Sequence, residues 1–419
     1  MKPAHEQLPV PEPMGDSAEN LPSRRLDFSG YLSQKVWTFL DTYPKKSIFL
    51  AVERFLKKQL VTDLNQKMVL LAGPRQVGKT TLANSLYKKT AYYNWDIDAD
   101  RSRILAREYS KADLWIFDEI HKYKNWRNYL KGLTDQLGPK QKILVTGSAK
   151  LDVLRKGGDS LQGRYHFLRL MPLTFKELGM KTAKDAFELY DLSGFPEPFL
   201  ADSKAACNRW SRSYRERIVR QEIASNEQFQ DLGTIEIVLN RLTEISGGLL
   251  SINSLAEDVQ VDHKTLAKWL DGLERLYAIF RISPFGPPKV KALKKSQKNF
   301  FFDWNAIIDP GARFENFVAV HLLKWIYFEQ DTQGRNLDLR FYRDKYDREV
   351  DFVILENGKP ILFVEAKVDD AETTKGLKYL KTKYPSIRFM QVHLRGKKDY
   401  LTSSGIIHCH VVELLKELI

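Results

Sequence analysis

The chain has 419 residues, 43% of them apolar and 28% charged, a composition that fits a folded globular protein and excludes collagen-like, low-complexity and bilayer-spanning classes. One hydrophobic core does not serve so long a chain, so two to four domains are expected. The formal net charge of +13 points to an anionic partner, nucleic acid before a membrane surface.

Cys207 and Cys409 are too far apart in sequence to suggest a disulfide framework, and the first residues lack the apolar stretch of a secretory signal. A cytoplasmic, reducing compartment is the expectation, with no membrane partner. Residues 1–25, with Pro3, Pro9, Pro11 and Pro13 among small and charged residues, read as a flexible tail. Residues 26–66 are expected to form N-terminal helices, because SIFLAVERFLKKQLV at 47–61 has helical apolar spacing.

The apolar run Met68 to Leu71 leads into Gly73, Pro74, Arg75, Gln76, Val77, Gly78, Lys79, Thr80 and Thr81, which fit G-x-x-x-x-G-K-(S/T) at every fixed position. Glycines let the backbone curl so that its N–H groups point at phosphate oxygens, and a helix opening at Lys79 adds its positive end. Lys79 is then the cation for the β- and γ-phosphates, and the Thr80 hydroxyl a Mg²⁺ ligand. Across 67–171, the runs MVLLA, AYYNW, DLWIF and KILVTG alternate with helical patterns, two of them near 101–109 and 126–137. Such alternation predicts a parallel sheet covered by helices.

Strand Leu114 to Phe117 delivers Asp118 and Glu119 at its carboxyl end, where open α/β sheets place ligand chemistry. Asp118 suits the Mg²⁺ shell and Glu119 the orientation and polarisation of an attacking water. After the next strand, Ser148 has two readings, contact with the γ-phosphate or its water, and capping. Arg164, after Gly163, likewise reads either as a guanidinium offered in trans to the γ-phosphate or as half of a surface ion pair. The trans reading requires at least two subunits and so a homo-oligomer.

Residues 172–233 read as a helical lid or linker. Residues 234–290 read as a winged-helix module, with helix, turn, helix and strand in SINSLAEDVQVDHKTLAKWLDGLERLYAIFRISPF. Leu266, Leu270, Leu273 and Tyr277 would pack, leaving Lys264, Lys268, Asp271 and Arg275 on the opposite face. Nine Lys or Arg stand against two acids between 264 and 298, which favours DNA at Lys264, Lys268 and Arg275; a protein-docking helix pair is the other reading.

Residues 291–419 return to strands and helices. Glu315 on a helical stretch, Asp351 opening a strand and Glu365-Ala366-Lys367 closing the next follow the order of a PD-(D/E)xK nuclease core. Asp351, Glu365 and the Ala366 carbonyl could hold Mg²⁺ while Lys367 steadies a hydroxide. Everything depends on the hairpin between them. A three-residue loop, Asn357 to Lys359, places Asp351 opposite Glu365, whereas a two-residue Asn357-Gly358 loop sends them to opposite surfaces. Pro360, lacking an N–H, favours the wider loop.

GPRQVGKTTL, WIFDE, LVTGSA, SLQGR, MPLTFKEL and SGFPEP together resemble a bacterial and archaeal family of AAA+ ATPases with a C-terminal domain of restriction-endonuclease-like fold. The resemblance runs from about residue 50 to near the C-terminus. It implies an ATPase using ATP and Mg²⁺, with catalytic roles at Lys79, Glu119, Ser148 and Arg164, metal contacts at Thr80 and Asp118, and a winged-helix-like segment. The expected fold class is α/β: a P-loop AAA+ parallel sheet with a helical lid, a winged-helix module and a C-terminal α/β restriction-endonuclease-like domain. The expected function is ATP hydrolysis coupled to DNA association, with Mg²⁺-dependent cleavage left open; the alternative is a nucleotide-gated binding switch whose nuclease-like domain is silent.

Overall fold

The computed structural model describes residues 52–147, 161–223, 231–286 and 297–419. The expected tail, most of the segment preceding residue 56, and Ser148 lie outside the described residues. Helix α1 (Leu56–Leu64) leads into β1 (Met68–Ala72), followed by α2 (Lys79–Asn84), β2 (Thr90–Asn94), α3 (Asp98–Ala106), β3 (Leu114–Asp118), α4 (Trp126–Leu137), β4 (Lys142–Thr146) and β5 (Tyr165–Arg169). Helix α3 begins ahead of the stretch expected from the apolar pattern, because Asp98 and Asp100 suit the positive end of a first turn.

The five strands are parallel in the order β2-β3-β4-β1-β5. Asp118 pairs in register with Thr146, and Thr146 with Leu71, so the ends of β3 and β4 and the start of the glycine loop lie side by side. Alternate residues feed two cores. Val69 and Leu71 join Ile116 and Leu144 on one face, and Met68 and Leu70 join Phe117 and Val145 on the other. Burial on both faces is why these strands are continuous apolar runs.

The stretch expected as a lid contains α5 (Ala183–Leu192), α6 (Pro196–Leu200) and α7 (Lys204–Arg217). Helix α8 (Leu232–Glu244), β6 (Leu249–Leu250), α9 (Ile252–Asp258), α10 (His263–Arg275), β7 (Ile279–Pro284) and β8 (Gln297–Phe301) follow. The remainder comprises α11 (Pro310–Gln333), β9 (Leu337–Arg343), β10 (Glu349–Glu356), β11 (Lys359–Lys367), α12 (Lys375–Lys383), β12 (Arg388–His393), β13 (Tyr400–Leu401), β14 (Ile406–His410) and α13 (Val411–Glu417).

Strands β6 to β14 form one mixed sheet, ordered β13-β14-β12-β11-β10-β9-β7-β8-β6. Its seam is β7 against β9, which pairs Ser283 with Arg340 and Pro284 with Phe341. The expected border at 290/291 falls between β7 and β8, two strands that pair antiparallel with each other. A single apolar core, reaching from Leu56 to Leu418, crosses every expected border after residue 66.

The β10–β11 hairpin corrects the expected loop. Its turn is the two residues Asn357 and Gly358, both at positive φ (51° and 78°), with Glu356 paired to Lys359. Pro360 lies opposite Leu355, one step beyond the pair that closes the turn, where antiparallel strands exchange no hydrogen bonds and a missing N–H costs nothing. The register then shifts: Leu355 pairs with Pro360 but Ile354 with Leu362, leaving Ile361 as a bulge. That one extra residue restores the pairing the wider loop would have produced, and Asp351 and Glu365 end on the same surface.

Candidate functional site

The glycine loop curls through three positive-φ residues, Gly73 (138°), Gln76 (61°) and Gly78 (92°). A Cβ at Gly73 would overlap the Leu170 carbonyl oxygen, so only glycine fits between β1 and the end of β5. Lys79 opens α2 and folds its ammonium back onto the loop, donating to the carbonyls of Gly73 (2.9 Å) and Pro74 (2.7 Å). Those acceptors are neutral, so an incoming phosphate, which offers a charged acceptor, forms the stronger bond.

Asp118 receives the Thr146 hydroxyl at 2.7 Å and the Thr80 hydroxyl at 3.5 Å, and also the Tyr92 hydroxyl. Burial first, and then the Asp118 charge, hold the Tyr92 phenol well above its usual range, so it remains a donor. Glu119 sits in the left-handed region (φ 57°) with its N–H on Thr146 O at 3.0 Å. Its carboxylate lies 3.4 Å from Lys122 Nζ and 3.5 Å from His121 Nε2. A non-glycine residue held there is strained, and such strain collects at functional sites.

Four further residues frame this site that the glycine-loop pattern does not announce. Arg54 donates to Val77 O at 2.8 Å, to Met171 O, and to Glu177 at 3.0 Å. Glu177, from the MPLTFKEL stretch, also accepts from Lys324 of α11. Burial pushes the Glu177 carboxyl up, but the Arg54 and Lys324 charges outweigh it and hold the group at about 2. Burial, reinforced by Arg54, brings Lys324 down to about 7 against the pull of Glu177. At the far end of α7, Arg217 reaches the Gln76 side chain at 3.2 Å. Arg164 makes a two-point surface pair with Asp135 of its own chain, at 2.7 and 3.2 Å.

The nuclease-like residues also come together. The Asp351 N–H donates to Glu365 at 3.2 Å, the Ala366 N–H donates to Asp351 at 2.9 Å, and Lys367 pairs with Glu365 at 2.7 Å. Between Val350 and Val353 the pairing with β9 slips by one residue, a second bulge in which Asp351 and Phe352 together oppose Phe341. Glu315 stands across the cluster on α11. Burial, with Asp351 as the next cause, raises the carboxyls of Glu315 and Glu365 to about 8 each. Lys298 of β8, counted earlier only as one charge in a basic run, lies among these acids, 3.0 Å from Glu315 and 2.5 Å from Glu349. Among the described residues, no group of three or more His, Cys, Asp or Glu is arranged to hold a metal ion.

On α10, Leu266, Leu270 and Leu273 are buried and Lys264, Lys268, Asp271 and Arg275 exposed, the separation expected from spacing; Tyr277 is buried too, but two residues past the end of the helix and at positive φ (55°). Asp262 caps the helix by accepting from the N–H groups of Lys264 and Thr265. Arg281 is paired with Asp271, on that face, and with Glu274, each at 2.6 Å.

The strand order and the glycine loop define a P-loop α/β nucleotide domain, and residues 65–179 match the family model of the AAA domain. Residues 184–305 and 310–411 match two models described as domains of unknown function, DUF8612 and DUF4143; neither description assigns a nuclease. Among curated relatives, uncharacterized proteins of Mycobacterium tuberculosis and Mycobacterium bovis are each 26% identical over 317 residues, spanning 71% of this chain and 69% of the relative. An uncharacterized protein of Methanocaldococcus jannaschii is 26% identical over 326 residues, 61% of this chain and 68% of the relative. Solved structures with some likeness include a RuvB variant of Thermotoga maritima, 20% identical, TM-score 0.26, covering 57% of this chain and 88% of that one. Another is the Aeropyrum pernix ORC1 protein in complex with DNA, 12% identical, TM-score 0.31, covering 66% and 92%. No helix among the described residues is long and apolar enough to cross a membrane.

Glu177 offers a direct test of the frame. Replacing it with Gln leaves Arg54 and Lys324 without their shared anion, and urea unfolding at pH 7 should show a loss of about 3–5 kcal/mol. The Glu177 carboxyl is held at about 2 against an ordinary 4.5, so its contribution is complete above about pH 4.5 and fades as pH falls toward 2. Wild type and Glu177→Gln should therefore converge in stability across that interval; parallel curves would contradict the assignment.

Proposed function

We propose that the chain is an AAA-type ATPase that associates with DNA through α10 and passes its nucleotide state to the C-terminal α/β region. The observation that carries this reading is the alignment of Lys79, Thr80, Asp118 and Glu119 along the carboxyl edge of one parallel sheet. Thr80 and Asp118 are hard oxygen donors that already approach each other, so the pair fits Mg²⁺. The ion would neutralise charge on the phosphate oxygens.

In this reading the N–H groups of Gly73 to Thr81 and the Lys79 ammonium bind and orient the phosphates. Asp118, fixed by Thr146 and Tyr92, keeps one carboxylate oxygen toward Thr80. Glu119 polarises water, and its left-handed backbone turns the side chain off the strand axis. Arg217 stands beside the loop from α7, in the same chain, whereas a trans role for Arg164 requires release from Asp135 and a second subunit. Ser148 keeps its place in the proposal as a γ-phosphate contact. A soluble, cytoplasmic setting suits the two buried, reduced cysteines.

The binding-switch reading, with slow hydrolysis and a silent nuclease-like domain, is favoured by one observation: the Lys298 ammonium lies 3.7 Å from Asp351, one of the two carboxylates that cleavage would assign to Mg²⁺. Steady-state ATP turnover with and without duplex DNA separates the readings. Lys79→Ala and Glu119→Gln should each lower turnover by about 10²- to 10⁴-fold; unchanged phosphate release in either variant refutes the hydrolytic assignment. For DNA, Lys264→Ala and Lys268→Ala should weaken binding to all duplexes alike and reduce the slope of log affinity against log salt by about one per lysine. A slope unmoved by the double variant would place the DNA surface elsewhere.

A further inference from the structure

Lys298, the second residue of strand β8, is among the most deeply buried charged side chains, 1% exposed. Its ammonium faces carboxylates from two other elements: Glu315 on α11 at 3.0 Å, and Glu349 and Asp351 on β10 at 2.5 and 3.7 Å. The Phe341 ring lies 5.5 Å from the nitrogen. The arrangement is built with little slack. Gly247, at φ 76°, backs the Glu315 carboxylate so closely that a Cβ there would sit 2.8 Å from Oε2. Glu349 and Asp351, on one strand, both meet the Lys298 ammonium and so stand on the same side of it.

With the ammonium between them these carboxylates are not arranged to hold a metal ion, yet carboxylate oxygens converging on one point are the donor set that a hard divalent ion takes, at oxygen distances of about 2.0–2.6 Å. The two cations cannot share that space, because a dication set beside a buried ammonium meets strong repulsion in a medium that screens poorly. The ammonium has a further advantage: it is tethered, so its effective concentration at the acids exceeds that of any free ion. We propose that Lys298 is an intramolecular counter-cation that fills the Glu315–Glu349–Asp351 cluster, so that divalent metal enters only when the lysine is withdrawn or replaced. The choice of a divalent ion as the excluded ligand rests on the nuclease-like reading of Glu315, Asp351 and Glu365; the counter-cation role rests on the distances.

The test uses Mn²⁺ as the probe, read by electron paramagnetic resonance on the full-length, nucleotide-free chain. All proteins carry Asp118→Asn, so that the phosphate-loop metal position is silent. Wild-type Lys298 should bind no Mn²⁺ that Asp351→Asn removes. Lys298→Met should take up about one additional ion per chain, and that ion should disappear in Lys298→Met/Asp351→Asn. Removal of a buried cation can unfold the chain, so thermal melting of Lys298→Met and of the milder Lys298→Gln is followed with and without Mn²⁺. Recovery of a folded transition by Mn²⁺, blocked by Asp351→Asn, supports the proposal as binding does. An ion already present with Lys298 intact and lost in Asp351→Asn overturns it. So does a Lys298 variant that neither binds Mn²⁺ nor is stabilised by it. Plasmid nicking by the Mn²⁺-loaded Lys298→Met protein is a separate readout. Its absence would remove the nuclease reading and leave the counter-cation intact.

Discussion

One buried carboxylate ties the nucleotide site to the rest of the chain. Glu177 accepts from Arg54, Lys324 and the backbone N–H groups of Phe55 and Thr174, so its charge is both paired and hydrogen-bonded. Arg54 spends its remaining donors on Val77 O, inside the glycine loop, and on Met171 O; Lys324 reaches Pro172 O. The start of α1, the phosphate loop, the segment after β5 and helix α11 therefore meet at one ion cluster. Buried ionic clusters add little to stability compared with apolar packing, but they tolerate very few geometries. Here the geometry they dictate is the position of the loop.

Helix α11 extends that constraint across the molecule. Near its carboxyl end Asp331 and Gln330 grip Arg169 of β5, in the middle Lys324 meets Glu177, and near its amino end Glu315 meets Lys298. The three contacts lie on different turns of one helix of 24 residues, which is stiff over that length. The nucleotide sheet and the nine-stranded sheet are thus braced by a single element.

The two charged centres handle their lysines differently. Lys79 rests on neutral carbonyls at a partly open loop, an arrangement that a phosphate can take over at small cost. Lys298 rests on ionisable acids inside a sheet, where exchange requires desolvating and repositioning several charges together. Similar chemistry, an ammonium among oxygens, yields a receptive site in one place and a closed one in the other. Burial is the variable that separates them.

By itself the sequence determined the features whose cause is local. The glycine spacing before Lys79, the apolar runs that must be parallel strands, the acidic pair ending β3 and the two-faced pattern of α10 all follow from periodicity and backbone freedom within a few residues. Tertiary structure alone decided the rest. Arg54 and Glu177 are 123 positions apart and Lys324 a further 147, so no window of sequence contains their partnership. Lys298 looked like one more solvated charge because its neighbours in sequence are basic, while its neighbours in space are acids from α11 and β10. The hairpin shows the limit most clearly. Asn357-Gly358 announces a two-residue turn, but whether Asp351 faces Glu365 depends on a bulge at Ile361, and a bulge is settled by how the strand packs against its neighbours on both sides.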